Sequence, residues 1–294
     1  MTIKHLVIAG GATIGIRYLG VLEKLNELNY WKLDEIQSIY ATSIGSVVGV
    51  FIALNYDWET LNKYVIERPW HDAFRLSGKQ LLDSYFCKGL YDKKILEIVF
   101  KPLLEAKDLT LNITLKEFYD YSKIDLHIFT FELNKFETVE LSHTTHPDLS
   151  LLQALTMSCA LPGIFMPTIE DECCYLDGGI LCNFPVNYCI RDHTDINEIL
   201  GIQTSYIDSQ CNNSKITQDS SLLEYIIGLS INAMNYISKS VEQETLPNTV
   251  KCFIIESPMS LDIIKETVKN QDKRRKLLED GENDAIKFIN REDM

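Results

Sequence analysis

The stretch that decides the fold is KHLVIAGGATIG, residues 4–15, in which a short apolar run ends in a pair of glycines. The run at 4–9 predicts a buried β-strand, and the glycines indicate a tight turn. A second strand is predicted at 35–40, and an apolar helix at 44–54 follows it. Between the two strands, apolar residues recur at helical spacing, at Tyr18, Val21, Leu22, Leu25 and Leu28. This strand–helix–strand–helix order favours an α/β fold with a mainly parallel sheet.

The rest of the chain continues the mixed pattern. Residues 57–123 are predicted to be mostly helical. Two β-rich runs at 126–133 and 136–141 predict a hairpin. Further elements are predicted as a helix at 150–160, a strand around 175 and a buried strand at 196–203.

A polar stretch at residues 205–221 (SYIDSQCNNSKITQDSS) is the best internal boundary. We therefore expect residues 1–204 to form the core, and residues 205–294 to form a helical extension packed on the same domain. Within the extension, the pattern predicts a helix from about residue 223, a strand at 249–256 and one charged helix at 261–290.

Charge and hydropathy exclude several classes of protein. The 294 residues include 28 basic and 42 acidic ones, a formal net charge of −14, and such a field repels nucleic-acid phosphates. The longest apolar run, VVGVFIAL at 47–54, is well short of the ~18 residues that a membrane span needs. With no signal-peptide pattern at the start, the sequence predicts a cytoplasmic protein that is at most peripheral to membranes.

Metal and disulfide chemistry are not expected. The eight cysteines include no CxxC pair, so reduced thiols are predicted. Cys173, Cys174, Cys182 and Cys189 are clustered in sequence, but they lack the spacing of a zinc site. His143 and His146 form a pair without a third ligand, and no acidic calcium loop is present. We therefore predict no metal and no cofactor.

Three short motifs could carry chemistry. The first is Gly10-Gly11-Ala12-Thr13-Ile14-Gly15, where glycines between a strand and a helix expose N–H groups to an anion. That anion could be a dinucleotide phosphate or a developing oxyanion. The dinucleotide interpretation is rejected, because its fingerprint needs glycine at Ala12 and an acid at the end of the second strand. A plain strand-to-helix turn is the structural alternative.

The other two motifs contain a serine and an aspartate. Ala41-Thr42-Ser43-Ile44-Gly45 has the shape of G-x-S-x-G with alanine for the first glycine, and that motif places a serine on a sharp turn between strand and helix. The purely structural alternative is that Ser43 is the N-cap of the helix predicted at 44–54. Asp177-Gly178-Gly179 is by itself an ordinary turn. Spacing alone does not establish contact between Ser43 and Asp177.

Taken together and in this order, the three motifs resemble those of the patatin-like phospholipase family. That family has a glycine-rich oxyanion loop, a G-x-S-x-G serine and a D-G-G or D-G-A aspartate. Its G-V-L, G-L-[FY]-D, I-P-x-x-F-x-P and Y-x-D-G-G-x-x-x-N-x-P-V segments are similar to residues 20–22, 88–92, 160–167 and 175–186 of this chain. The resemblance covers roughly residues 3–190.

The resemblance implies a three-layer fold with a mainly parallel central sheet flanked by helices, and a catalytic core at 1–204. It also implies a hydrolase of phospholipid or other acyl-lipid esters, of the phospholipase A or lysophospholipase type, with transient membrane-surface contact. Ser43 would be the nucleophile and Asp177 its general base, without histidine. The oxyanion hole would comprise Gly10, Gly11 and Ala12, and the supporting turns would contain Gly45, Gly178 and Gly179.

This chain departs from the family pattern at three positions. Ala12 and Ala41 replace glycines, and Ile14 replaces a lysine or arginine. Arg17, one helical turn later, is the candidate for the missing charge. These departures support an alternative hypothesis, a catalytically impaired lipid-binding or interaction protein.

A second alternative is an α/β-hydrolase esterase with the triad order Ser43, Asp177, His193. For membrane contact, the sequence offers the basic stretch KNQDKRRK at 269–276, although a solvated helix face is its ordinary interpretation. The aromatic segment 68–92 is a candidate lid over an acyl pocket.

Overall fold

The computed structural model describes residues 2–75, 77–206, 216–240, 245–254 and 261–291. A mixed sheet with the strand order β10-β9-β1-β2-β4-β8-β7 forms its centre, and β5 pairs with β4. The five strands from β10 to β4 run parallel, whereas β5, β7 and β8 are antiparallel to their partners. The strands are β1 (His5–Ile8), β2 (Ser38–Thr42), β3 (Gly89–Tyr91), β4 (Asp125–Glu132), β5 (Glu137–Leu141), β6 (Gly163–Phe165), β7 (Thr168–Glu170), β8 (Cys173–Asp177), β9 (Ile199–Tyr206) and β10 (Thr249–Ile254).

Helices cover both faces of this sheet. They are α1 (Gly15–Glu27), α2 (Ile44–Ala53), α3 (Trp58–Glu67), α4 (Trp70–Ala73), α5 (Gly78–Cys87), α6 (Lys94–Glu105), α7 (Leu115–Ser122), α8 (Leu151–Ser158), α9 (Val186–Asp192), α10 (Leu222–Ser240), α11 (Leu261–Lys269) and α12 (Gln271–Asn290). Because side chains alternate along a strand, Leu6 and Ile8 pack with α1 and α2, whereas Val7 packs with α9. The predicted three-layer α/β fold with a mainly parallel sheet is confirmed.

Helix α12 crosses α1 at a pair of glycines. A Cβ on Gly20 would lie 2.1 Å from the carbonyl oxygen of Leu278, and one on Gly281 would lie 2.0 Å from that of Arg17. Any larger residue would therefore push the two backbones apart. Beside the crossing, the Arg17 guanidinium donates to both carboxylate oxygens of Asp284, at 2.5 and 2.8 Å.

Two details differ from the sequence predictions. The single helix expected at 261–290 is two helices, because the Asn270 side chain accepts the N–H groups of Asp272 and Lys273 and starts a new helix. The mostly helical region 57–123 also contains β3, which pairs with β6 in a small separate sheet.

Residues 207–215, most of the predicted boundary, lie outside the described residues. The division at residue 204 stays a prediction, although β10 of the extension pairs with β9 in the central sheet. Within the described ranges, no helix combines the length and apolar composition needed to cross a membrane.

Candidate active site

Ser43 lies on a sharp turn between β2 and α2. Its backbone has φ 54° and ψ −127°, a conformation that side-chain-bearing residues rarely adopt. Gly45 makes the turn possible, because a Cβ there would lie 2.4 Å from the Ile8 carbonyl oxygen. The methyl group of Ala41 is buried, and its distance of 4.0 Å from the Cβ position of Gly49 is an ordinary contact, so the turn tolerates alanine here. The geometry is that of a nucleophile turn.

Asp177 lies at the end of β8, where it meets this turn. Ser43 Oγ donates to Asp177 Oδ2 at 2.6 Å, and the Gly179 N–H donates to Asp177 Oδ1 at 2.8 Å. Burial raises the pKa of the Asp177 carboxyl to about 6, although both hydrogen bonds act in the opposite direction. The structure thus brings together the two residues that spacing alone could not connect.

Ser158, at the end of α8, is a supporting residue that the sequence analysis missed. Its Oγ accepts the Ser43 N–H at 2.8 Å and donates to the Phe129 carbonyl at 2.6 Å. A serine two residues before the 160–167 segment was the available signal. Close by, a Cβ on Gly178 would lie 2.2 Å from the Phe129 carbonyl oxygen. The Phe129 carbonyl of β4 is thus in contact with Ser158, which holds the Ser43 turn, and with Gly178, which follows Asp177 at the end of β8.

The glycine-rich loop passes beside Ser43. The Gly10 N–H donates to the Asn183 carbonyl at 3.0 Å, so this N–H is already used within the protein. The N–H groups of Gly11 and Ala12 donate to no acceptor in the described part of the chain. Ala12 itself has φ 49°, a conformation that favours glycine. Of the three residues predicted for the oxyanion hole, Gly11 and Ala12 therefore stay candidates, and Gly10 does not.

Arg17 does not take the place of a basic residue in this loop. Its guanidinium is engaged by Asp284 and by the Phe253 carbonyl, so its charge is neutralised away from Ser43. Ile14, at the family's basic position, is buried in the core. The interpretation of Arg17 as a substitute charge is wrong, because the carboxylate of α12 holds its side chain.

A cavity of about 220 Å³ opens at Ser43 and Asp177. Its wall is mainly apolar and includes Val47, Phe51, Val99, Leu161, Met234 and Ile264. The last two belong to α10 and α11, so the extension after residue 204 completes the cavity. Trp70 and Phe74 of the aromatic segment also line it. The cavity suits an acyl chain placed beside a nucleophile.

Arg274 is a buried arginine in the wall of this cavity. Its guanidinium donates to the carbonyls of Ile66 and Arg68 at the end of α3, and to those of Thr267 and Val268 near the end of α11. A cation is stabilised at helix C-termini, so Arg274 holds these two helix ends together.

The predicted histidine alternatives do not reach the site. His193 Nε2 lies 3.3 Å from Ser38 Oγ, and its ring stacks on His5 at 3.6 Å. Ser38 begins β2 and Ser43 follows its end, a separation of roughly 16 Å along a strand. The Ser-Asp-His triad is therefore wrong. Among the described residues, no group of three or more histidine, cysteine or acidic side chains is placed to hold a metal.

Comparison with known proteins shows the family to which this chain belongs. The family model described as patatin-like phospholipase matches residues 6–190. The probable lipid hydrolase 463L of invertebrate iridescent virus 6 is 27% identical over 198 residues, which are 66% of each chain. The Arabidopsis thaliana triacylglycerol lipase SDP1L is 29% identical over 161 residues, 54% of this chain and 19% of the plant protein.

A solved structure shows the same fold. VipD from Legionella pneumophila superposes with a TM-score of 0.50 at 17% identity, covering 94% of this chain and 66% of VipD. Because the family match spans more than half of the sequence, the chain belongs to the patatin-like phospholipase family.

Proposed function

We propose that this protein hydrolyses acyl esters of lipids through an acyl-enzyme on Ser43, with Asp177 as general base. The observation that carries the proposal is the 2.6 Å hydrogen bond from Ser43 Oγ to a buried carboxylate at the mouth of an apolar cavity. A nucleophile and base in direct contact are the minimum that acyl transfer requires.

The burial of Asp177 makes it a better base than an ordinary aspartate. A free carboxyl, with a pKa near ~3.9, is a poor acceptor of a serine proton. The raised pKa of about 6 brings Asp177 closer to working pH while leaving it ionised there. As Ser43 Oγ attacks the ester carbonyl, its proton passes to Asp177 and then to the departing alcohol.

Backbone N–H groups of the glycine loop would stabilise the oxyanion. The N–H groups of Gly11 and Ala12 lie at the start of a short helical turn. The N–H groups at a helix start carry partial positive charge. Each such donor is worth about 3 kcal/mol in the transition state. Water then attacks the acyl-enzyme by the same route and releases the fatty acid.

The apolar wall favours a substrate with a long hydrocarbon chain, and we propose a phospholipase A or lysophospholipase type of activity. The Cys159 thiol lies beside Ser43, and burial raises its pKa, so it remains uncharged. A mainly apolar wall of this kind excludes water from the acyl chain.

Labelling with a fluorophosphonate, read by intact mass, tests the proposal directly. We expect one label per chain, lost in Ser43→Ala. Ser46→Ala is the matched control, since Ser46 Oγ donates to the Ala41 carbonyl rather than to Asp177. Absence of label, with and without phospholipid vesicles, would instead support a catalytically impaired lipid-binding protein.

A further inference from the structure

Helix α10 is apolar on two opposite sides. Its inner side chains pack into the core that forms one wall of the cavity, at Leu223, Ile227, Ile231 and Met234. Its outer side chains are exposed and equally apolar, at Leu222, Tyr225, Ile226, Leu229 and Tyr236. Their spacing places them on one face of the helix. The outward face of a surface helix is normally polar, so this exposed apolar face is unusual.

Helix α5 carries a second exposed apolar stripe next to the same small sheet. Leu82, Tyr85 and Phe86 are 76–77% exposed, and the two aromatic rings pack edge to face. The helix ends at Cys87, and β3 begins two residues later and pairs with β6. On the other side, a Cβ on Gly163 of β6 would lie 3.1 Å from Leu223 of α10. The two stripes therefore flank one two-stranded sheet.

Residues of α10, of β6 and of the segment before α5 line the cavity. Met234 of α10 and Phe165 of β6 both line the cavity that contains Ser43. Phe74, which precedes α5, lines it as well, and its ring packs on Tyr91 of β3. Helix α10 thus displays apolar side chains outward and also forms part of the inner wall, whereas α5 follows a segment that lines the cavity through Phe74.

We propose that this protein binds an uncharged or zwitterionic lipid surface through the outer faces of α5 and α10. This inference rests on the proposed function. Exposed aromatic and aliphatic side chains of this kind sit well at a lipid–water boundary. Docking would place the cavity against the layer from which an ester enters.

Charge favours a neutral lipid surface over an anionic one. The formal net charge is −14. The basic stretch 269–276 is largely neutralised, because Lys273, Arg275 and Lys276 pair with acidic neighbours and Arg274 is buried. This stretch is thus poorly suited to be the membrane-binding patch that the sequence suggested.

Flotation with phosphatidylcholine vesicles tests the proposal, using the full chain with Ser43→Ala so that turnover plays no part. We expect binding that 0.5 M salt leaves unchanged within about twofold, since apolar contact is not screened. Replacing Leu82, Phe86, Leu222 and Leu229 by serine should weaken binding at least tenfold. The control replaces Phe136, in the turn between β4 and β5, and Ile169, in β7, which are exposed outside α5 and α10, and it should bind as before.

A second measurement needs no apolar substitution. Cys87 is exposed at the end of α5, so a polarity-sensitive dye can be attached there. We expect its fluorescence emission to shift to the blue when vesicles are added. Dye attached to the other cysteines of a Cys87→Ala chain gives the background. Equal binding by the α5/α10 and control variants, or no dye shift, would overturn the proposal. Binding that requires anionic lipid and is lost in salt would also overturn it. So would a dimer that depends on the α5 and α10 side chains and forms without binding vesicles. Fluorophosphonate labelling tests Ser43 separately, so failure to dock and failure to catalyse are distinguishable.

Discussion

The two ends of the central sheet differ in whether a buried charged group has an oppositely charged partner. At the carboxyl end, Asp177 is buried and accepts hydrogen bonds from a hydroxyl and an N–H, and burial raises its pKa. Among the described residues, no cation pairs with it. At the amino end, His127 lies 2.6 Å from Glu140 and 3.2 Å from Asp125. Burial lowers the pKa of His127, but the two carboxylates outweigh burial and raise it to about 9.

The amino end is built for stability. The Tyr40 ring stacks on His127 at 4.0 Å, and its hydroxyl donates to Asp192. His143 contacts Asp125 at 2.9 Å, which joins the hairpin to the same network. There, each buried ionised group has an opposite charge beside it, whereas the carboxyl end keeps one carboxylate uncompensated. The contrast indicates that the buried carboxylate beside Ser43, which the proposed reaction uses, costs folding free energy.

The largest expected effect separates the two ends by activity. Ser43→Ala and Asp177→Asn should lower kcat/KM on a soluble short-chain ester by about 10³-fold or more, because each removes a member of the reacting pair. His193→Ala, at the other end, should change it less than about twofold. A large loss in His193→Ala would restore the triad hypothesis.

The pH dependence should follow the carboxyl end. Because Asp177 must be ionised to accept a proton and its pKa is about 6, kcat/KM should fall about tenfold per unit below pH 6 and level off above it. The neighbouring Cys159 stays neutral in this range, because burial raises its thiol pKa. A profile that bends near pH 4 would mean that the pKa of the Asp177 carboxyl is not raised.

Stability should change in opposite directions at the two ends. The folded pKa of Asp177 is raised, so its ionisation weakens folding as pH rises from about 4 through 6. Asp177→Asn should therefore raise the free energy of unfolding at pH 8, by roughly 2–3 kcal/mol. Denaturant titrations of wild type and variant at pH 5 and pH 8 would measure this gain.

The His127 pKa is also raised, but here the charged form is the stabilised one. Its contribution is complete below about pH 6.5 and is lost as pH rises through about 9. His127→Gln should therefore lower the free energy of unfolding at pH 6, by roughly 2–3 kcal/mol, and by much less at pH 10. Equal losses at both pH values would contradict an ionic role.

The smallest effect concerns the strained loop beside Ser43. Ala12→Gly should stabilise the fold by about 1 kcal/mol or less, because Ala12 has φ 49° and glycine adopts this conformation without strain. Ala106→Gly is the matched control, since Ala106 has φ −68°, and it should destabilise by about 0.5–1 kcal/mol. Thermal midpoints would contradict the strain argument if both substitutions had the same sign.

The sequence predicted the α/β core because apolar runs and glycine turns are local signals. Ser43 and Asp177 were found through motifs, and only their contact required the structure. The role of Ser158, the use of the Gly10 N–H by Asn183 and the pairing of Arg17 with Asp284 all depend on long-range packing. The break at Asn270 was missed because a side-chain cap can interrupt a continuous helical pattern.

The crossing of α1 and α12 also orders events during synthesis. Arg17 and its partner Asp284 are 267 residues apart, although their helices touch at Gly20 and Gly281. At 5–20 residues per second, roughly 15–50 s pass between translation of the two helices. During that interval the apolar side of α1 has no α12 to cover it. The native contact between α1 and α12 therefore forms only after residues 271–290 have been synthesised.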